Sequence, residues 1–169
     1  ITKRSMYMFL VTSECDDPKM PEVHLVPRFK EWLKEYEVSM VKDCIKKIND
    51  PKLVVYRPLE TLFMAAPWYS NRVLIIGDAA HATIPQLGQG AGLALEDSIV
   101  LAELIQQDNP LEVTFEKYMK RRYDRCKMVV EASKQIGELE QLEWTGQLPK
   151  DVNIGAIMGK TLGAMMQPV

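Results

Sequence analysis

Residues that announce a chemistry are scarce in this chain. Its 169 residues include 3 cysteines and 2 histidines, and Cys15, Cys44 and Cys126 lie too far apart for a C-x-x-C pair or a Cys/His ligand set. Free thiols and no metal are the expectation. No apolar run approaches the ~20 residues of a membrane span, and no secretory signal is visible. The cytoplasm is therefore the expected compartment, and no membrane is expected as a partner. Charge of neither sign prevails: 21 Lys and Arg against 23 Asp and Glu leave a formal net charge of -2. Such a balance exerts no pull on a polyanion, which argues against nucleic acid as a partner. Internal repeats and low-complexity tracts are absent as well. What remains is 47% hydrophobic content, enough for one core.

The informative stretch is residues 72–96, RVLIIGDAAHATIPQLGQGAGLALE. Val73, Leu74, Ile75 and Ile76 form a short apolar run rich in β-branched residues, the pattern of a strand covered on both faces. Gly77 and Asp78 end it. In open α/β sheets ligands lie at the carboxyl ends of strands, so Asp78 is a well-placed binding carboxylate. Pro85 stiffens the loop that follows, and Gly88, Gly90 and Gly92 lack the Cβ atoms that would hold a flat ligand off the backbone. A helix is expected over residues 91–106, where Leu93, Leu95, Ile99, Val100, Leu101, Leu104 and Ile105 cover most of the circumference and predict burial nearly all round. Its N-terminus offers unpaired N–H groups and a positive dipole end, worth about 0.3–1 kcal/mol to a nearby anion.

The order Gly77-Asp78-Ala79-Ala80-His81, then Pro85, Gly88, Gly90 and Glu96-Asp97, resembles the second flavin-binding motif of the class A FAD-dependent aromatic hydroxylases, the family of salicylate hydroxylase and p-hydroxybenzoate hydroxylase. The match covers residues 72–104. It implies an α/β chain (an α+β fragment), the C-terminal part of a p-hydroxybenzoate hydroxylase-like FAD-binding fold with part of the substrate-domain sheet. It also implies FAD as cofactor. Gly77 would then turn the chain, Asp78 would bond the ribityl hydroxyls, and Pro85 would lie beside the isoalloxazine ring. Gly88 and Gly90 would shape the wall at the reactive edge, with the backbone of Ala91 and Gly92 near the flavin N1 and C2 carbonyl. The implied activity is that of a monooxygenase: hydroxylation of a small aromatic substrate with NADH or NADPH and O2, through a flavin C4a-hydroperoxide. A homodimer is compatible with it.

A complete member of that family opens with a strand, a G-x-G-x-x-G turn and a helix that hold the ADP half of FAD. Gly88-Gln89-Gly90-Ala91-Gly92 is no substitute, because the fingerprint needs its glycines directly after a strand, and these follow a proline-containing loop. With Ile1 in place of an initiator Met, the expectation is a C-terminal fragment, inactive alone. Residues 1–66 would be the remaining part of a substrate-binding domain (strand, helix, strand), and residues 67–169 the C-terminal part of the FAD-binding domain plus C-terminal helices. Two alternatives stay open: a same-fold flavin monooxygenase acting on a quinone, polyketide or isoprenoid, and a non-enzymatic ligand- or partner-binding module.

Elsewhere, residues 5–12 alternate Tyr7, Phe9 and Val11 with Met6, Met8 and Leu10 and read as a strand; residues 15–21 read as a loop. Pro27 suits a helix start, after which Phe29, Leu33, Tyr36, Met40, Cys44 and Ile48 recur at helical spacing up to the break at Asn49-Asp50-Pro51. Residues 53–62 read as a strand interrupted at Pro58. Asn109 as N-cap and Pro110 at the first position start one or two helices over residues 111–144, and a short last helix lies in the tail.

Three features invite a catalytic reading that we decline. His81 is read as a structural hydrogen-bonding group holding the loop. Glu96 and Asp97, adjacent on a helix, point about 100° apart and read as anchors to neighbouring loops rather than an acid–base pair. The run Lys120, Arg121, Arg122, Arg125 and Lys127, punctuated by Glu116, Asp124 and Glu131, reads as a solvated helix face rather than a phosphate site. No catalytic residue is assigned.

Overall fold

A computed structural model of the protein describes residues 7–13 and 19–169. They divide between two compact units, Ile1–Pro58 and Leu59–Val169.

In the first unit the single helix expected from Pro27 onwards is two helices, α1 (Glu22–Leu33) and α2 (Ser39–Lys47). Pro27 sits inside α1, where it forfeits one backbone bond, while Glu22 occupies the first turn and suits the dipole there. Helical spacing persists across the break, because a periodic pattern cannot reveal a short interruption. A 3-10 turn, Pro51–Leu53, follows; Asp50 caps it by accepting from the Lys52 N–H at 3.0 Å. Trp32 stacks on Tyr56 with ring centroids 6.1 Å apart, and Lys30 Nζ donates to Asn49 Oδ1 at 2.8 Å. These contacts lay residues 49–56 on α1.

The strands expected over residues 5–12 and 53–62 are corrected: residues 7–13 and 54–67 carry neither helix nor strand. Met6, and Cys15 with most of the expected loop, lie outside the described residues. Apolar alternation marks what a strand could bury, but a strand exists only with a neighbour to bond. The described chain supplies one at the end of the second segment, where the Leu62 and Met64 N–H groups donate to the Ala82 and Ala80 carbonyls at 2.9 Å each.

The second unit opens with a hairpin, β1 (Tyr69–Ser70) and β2 (Val73–Leu74), antiparallel with Tyr69 opposite Leu74. The strand expected over residues 73–76 is shorter, and Val73 is exposed; cover on both faces needs a layer packed on each, and the described residues put none over Val73. A single helical turn α3 (Asp78–His81) leads through the loop to α4 (Gly90–Ile105), α5 (Leu111–Trp144) and α6 (Ile154–Met165). α5 is one unbroken helix of 34 residues whose N-cap is Pro110, one residue later than expected.

Along α5 the buried residues Phe115, Tyr118, Arg122, Cys126, Val129, Ser133 and Ile136 recur three or four apart, one continuous stripe. α4 contributes Leu93, Asp97, Val100 and Leu104 at the same spacing. Trp68, Ala80 and Leu87 complete the core; Trp68 also donates from Nε1 to the Met64 carbonyl at 2.9 Å. The expectation that α4 is buried nearly all round is corrected, since Leu95, Ile99 and Ile105 are 66%, 59% and 56% exposed. Apolar composition states what a helix can bury, whereas its neighbours decide what it does bury. Among the described residues no helix is long and apolar enough to cross a membrane.

Candidate functional site

Gly77 stands at φ 59°, ψ -143°, a conformation that would cost most other residues about 1–3 kcal/mol. It swings the chain out of the hairpin and into α3, whose first residue is Asp78. The Asp78 carboxylate is exposed and makes no hydrogen bond or ion pair among the described residues. Pro85 is exposed and begins a 3-10 turn, Pro85–Leu87, whose last residue is buried and which Gly88 closes in the left-handed region at φ 64°, ψ 21°. A Cβ on Gly88 would meet nothing within 4 Å, so conformation and not crowding calls for glycine there.

α4 then starts at Gly90 with no side-chain cap and no acidic residue in its first turn. The N–H groups of Gly90, Ala91 and Gly92 are left without intrahelical partners. Gly77 packs beside Ala94. The structure thus brings Gly77 and Asp78 to the N-terminal half of α4, the helix that opens with Gly90, Ala91 and Gly92; Pro85 and Gly88 lie on the connecting loop.

Beneath this open surface lies a set of buried charges. Asp97 is 0% exposed and accepts from the Gly77 N–H at 2.8 Å, from His81 Nε2 at 2.7 Å and from Arg122 Nε at 2.7 Å. Burial would raise its pKa, but the hydrogen bonds from His81, Gly77 and Arg122 outweigh burial and hold it at about 2. An ionised carboxylate only accepts, so His81 Nε2 carries the proton, and Nδ1 is buried with no partner among the described residues.

Arg122, also 0% exposed, extends the set. It gives Nη1 to Glu96 Oε2 at 2.6 Å and Nη2 to the Leu93 carbonyl at 3.1 Å and Cys126 Sγ at 3.4 Å. Burial pushes the Glu96 carboxyl up, and Arg125 and Arg122 overcome it to hold the group below its usual range. Arg125 grips both Glu96 oxygens, with Nε on Oε2 at 2.9 Å and Nη2 on Oε1 at 2.7 Å. It also donates to the carbonyls of Met165 and Ala164 at 2.6 and 3.3 Å, the end of α6 where a cation complements the dipole.

His81 makes a loop-holding hydrogen bond of the kind expected, and Asp97 anchors the Gly77 turn as well as α5, whereas Glu96 is tied to α5 and to no loop among the described residues. The solvated basic face is corrected: Arg122 and Arg125 point inward, while Lys120 and Lys127 are exposed. A signal for this was present. Arg122 falls four residues after Tyr118 and four before Cys126, on the stripe itself, and Asp97 falls four after Leu93 and three before Val100. Opposite charges on the apolar stripes of successive helices predict a pair, because neither can be buried alone.

His81, Asp97 and Cys126 bring potential ligand atoms within 4.8 Å of one another. The Arg122 guanidinium already bonds two of the three, and burial foremost pushes the Cys126 thiol up to about 12, which keeps it protonated. The cluster suits a guanidinium rather than a metal ion. Cys44 and Cys126 are free thiols.

A family model described as FAD binding domain matches residues 27–133, more than half of the chain. The Bacillus subtilis (strain 168) protein YetM is 45% identical over 91 residues, 54% of this chain and 25% of its own length. The 2-heptyl-3-hydroxy-4(1H)-quinolone synthase of Pseudomonas aeruginosa is 32% identical over 145 residues, 85% of this chain and 37% of its own. Among solved structures, a variant of Klebsiella pneumoniae HpxO complexed with FAD superposes with a TM-score of 0.68 at 22% identity, over 94% of this chain and 42% of that one. The last likeness shows the fold. The chain thus spans about a quarter of the length of the first of these two curated relatives and less than two fifths of the second.

Proposed function

We propose that this chain, which belongs to the FAD binding domain family, supplies the flavin-facing part of a monooxygenase that hydroxylates an aromatic substrate with NADH or NADPH and oxygen. The observation that carries the reading is the pairing of two unsatisfied groups: the free Asp78 carboxylate and the uncapped start of the helix on which its turn packs. A charged acceptor on a sugar hydroxyl is worth about 1.5–3 kcal/mol, and free N–H groups at a helix start favour an anion. FAD has both features, ribityl hydroxyls and a ring that becomes anionic on reduction.

In this reading Asp78 holds the ribityl chain, the N–H groups of Ala91 and Gly92 face the pyrimidine edge, and Pro85, Gly88 and Gly90 form the wall beside the ring. Bound FAD supplies the redox and oxygen chemistry; the protein's part is to bind, orient and exclude water. Residues 1–66 belong to the substrate-binding part and residues 67–169 to the FAD-binding part. The exposed apolar face of α4, with Leu95, Ile99 and Ile105, supports a further layer packed on it in the whole protein. The chain itself has no G-x-G-x-x-G turn after a strand to hold the ADP half, so residues 1–169 alone are inactive.

The visible absorption spectrum of the protein purified from its complete reading frame tests this. Flavin bands are expected. A colourless protein that takes up no added FAD overturns the reading in favour of a non-enzymatic binding module. The quinolone-making relative, which matches 85% of this chain, favours a second possibility within the same chemistry. Turnover of a fused-ring or quinone-like substrate without turnover of simple benzoates would select it.

A further inference from the structure

We propose that Asp97 is a positioning residue for the flavin-facing turn: through Gly77 and His81 it locks Asp78 in register with the N-terminus of α4. The inference rests on reading residues 77–92 as the flavin site. Asp97 Oδ2 accepts from both the Gly77 N–H and His81 Nε2, at 2.8 and 2.7 Å. Those two residues bracket α3, so Asp78 lies within a short span pinned at both ends to one oxygen atom. That oxygen belongs to α4, seven residues or about 10 Å along the helix axis from Gly90. Turn and helix start are therefore referred to the same rigid element.

The other oxygen explains why the pin does not swing. Arg122 Nε holds Oδ1 at 2.7 Å, and the same guanidinium bonds Glu96 and the Leu93 carbonyl, which leaves Asp97 one orientation. Gly77 would otherwise be the freest point of the turn, since glycine loses more conformational freedom on ordering than any other residue. An apolar pair in place of Asp97 and Arg122 could match the stability of the ion pair. It could not accept the Gly77 N–H, and that bond is what aims Asp78.

The test is FAD affinity, measured by flavin fluorescence on titration into the apoprotein made from its complete reading frame. Asp97→Asn is compared with Leu104→Ala, a core truncation seven residues and about 10 Å further along α4, after chemical denaturation has shown the latter to lose as much stability or more. Asp97→Asn is expected to weaken FAD by about tenfold to a hundredfold, as for a lost charged hydrogen bond, and to speed amide exchange at residues 77–81. Leu104→Ala should bind within about twofold of the parent, the difference of a site left intact. Equal affinity loss in both variants, or none in Asp97→Asn, overturns the positioning role.

Should Asp97→Asn fail to fold, His81→Gln and His81→Leu decide. Glutamine keeps an N–H donor for Asp97 and should retain affinity where leucine loses it; identical affinities overturn the proposal. Asp78→Ala separates the two inferences. Unchanged FAD affinity in that variant defeats the reading of the site itself, whereas a weakened Asp78→Ala beside an unaffected Asp97→Asn defeats only the positioning role.

Discussion

Asp78 and Asp97 both meet Gly77, one through the chain and one across it, yet their surroundings are opposites. Asp97 has no exposure and three donors on its two oxygens; Asp78 is exposed and its carboxylate bonds nothing among the described residues. A carboxylate that is fully satisfied in the folded chain works for the fold, and one left free at an ordered turn is available to a ligand. The same contrast runs along α4: its N-terminal N–H groups are uncapped, while the two adjacent carboxylates about two turns on are clamped by arginines.

The contrast breaks hardest at Arg122. Arg122→Met leaves Asp97 buried without its cation and takes one of two arginines from Glu96, and should lower stability by about 3–5 kcal/mol in urea denaturation; a loss near zero would mean that the buried charge finds another partner. Gly77→Ala strains the turn and should remove about 1–3 kcal/mol, with a visible change in the amide resonances of residues 77–81. Acid should act on one side of the contrast only. Because the Asp97 pKa is lowered from 3.8 to about 2, the stability it adds is whole above about pH 4 and drains away as the pH falls towards 2. The total is about 2 kcal/mol, read from denaturation midpoints across that range, with a shallower fall in Asp97→Asn. Smallest in stability is Asp78→Ala, expected within about 0.5 kcal/mol of the parent, although FAD affinity should drop by about tenfold or more. A large stability loss there would make Asp78 part of the fold and blur the distinction.

Much of the second unit was legible in order of residues. α5 shows as a long stretch free of proline, and glycine enters it only at Gly137; α4 shows as an apolar run after a glycine-rich loop; and Gly77-Asp78 marks the turn between hairpin and helix. The first unit was less so. Its apolar spacing passes unbroken from Leu33 to Met40 although the helix does not, and the alternation near Tyr7 and around Val54 finds no strand to pair with among the described residues. The buried arginines were hidden by their neighbours: Lys120, Arg121 and Asp124 make the segment look uniformly wet, and the residues that neutralise Arg122 lie 25 and 26 positions upstream.

Local chemistry along the chain was enough to establish the Gly77-Asp78 turn, the glycine-rich approach to α4, the length of α5 and the kinship with flavin-binding proteins. These depend on backbone conformations and helical periods that a few adjacent residues dictate. Tertiary structure alone decided which charges are buried, which face of α4 is left bare and which oxygen holds Gly77. Burial and pairing are properties of two elements meeting, and the free energy that puts a charged arginine in a core comes from a carboxylate on another helix, not from anything beside it in the chain.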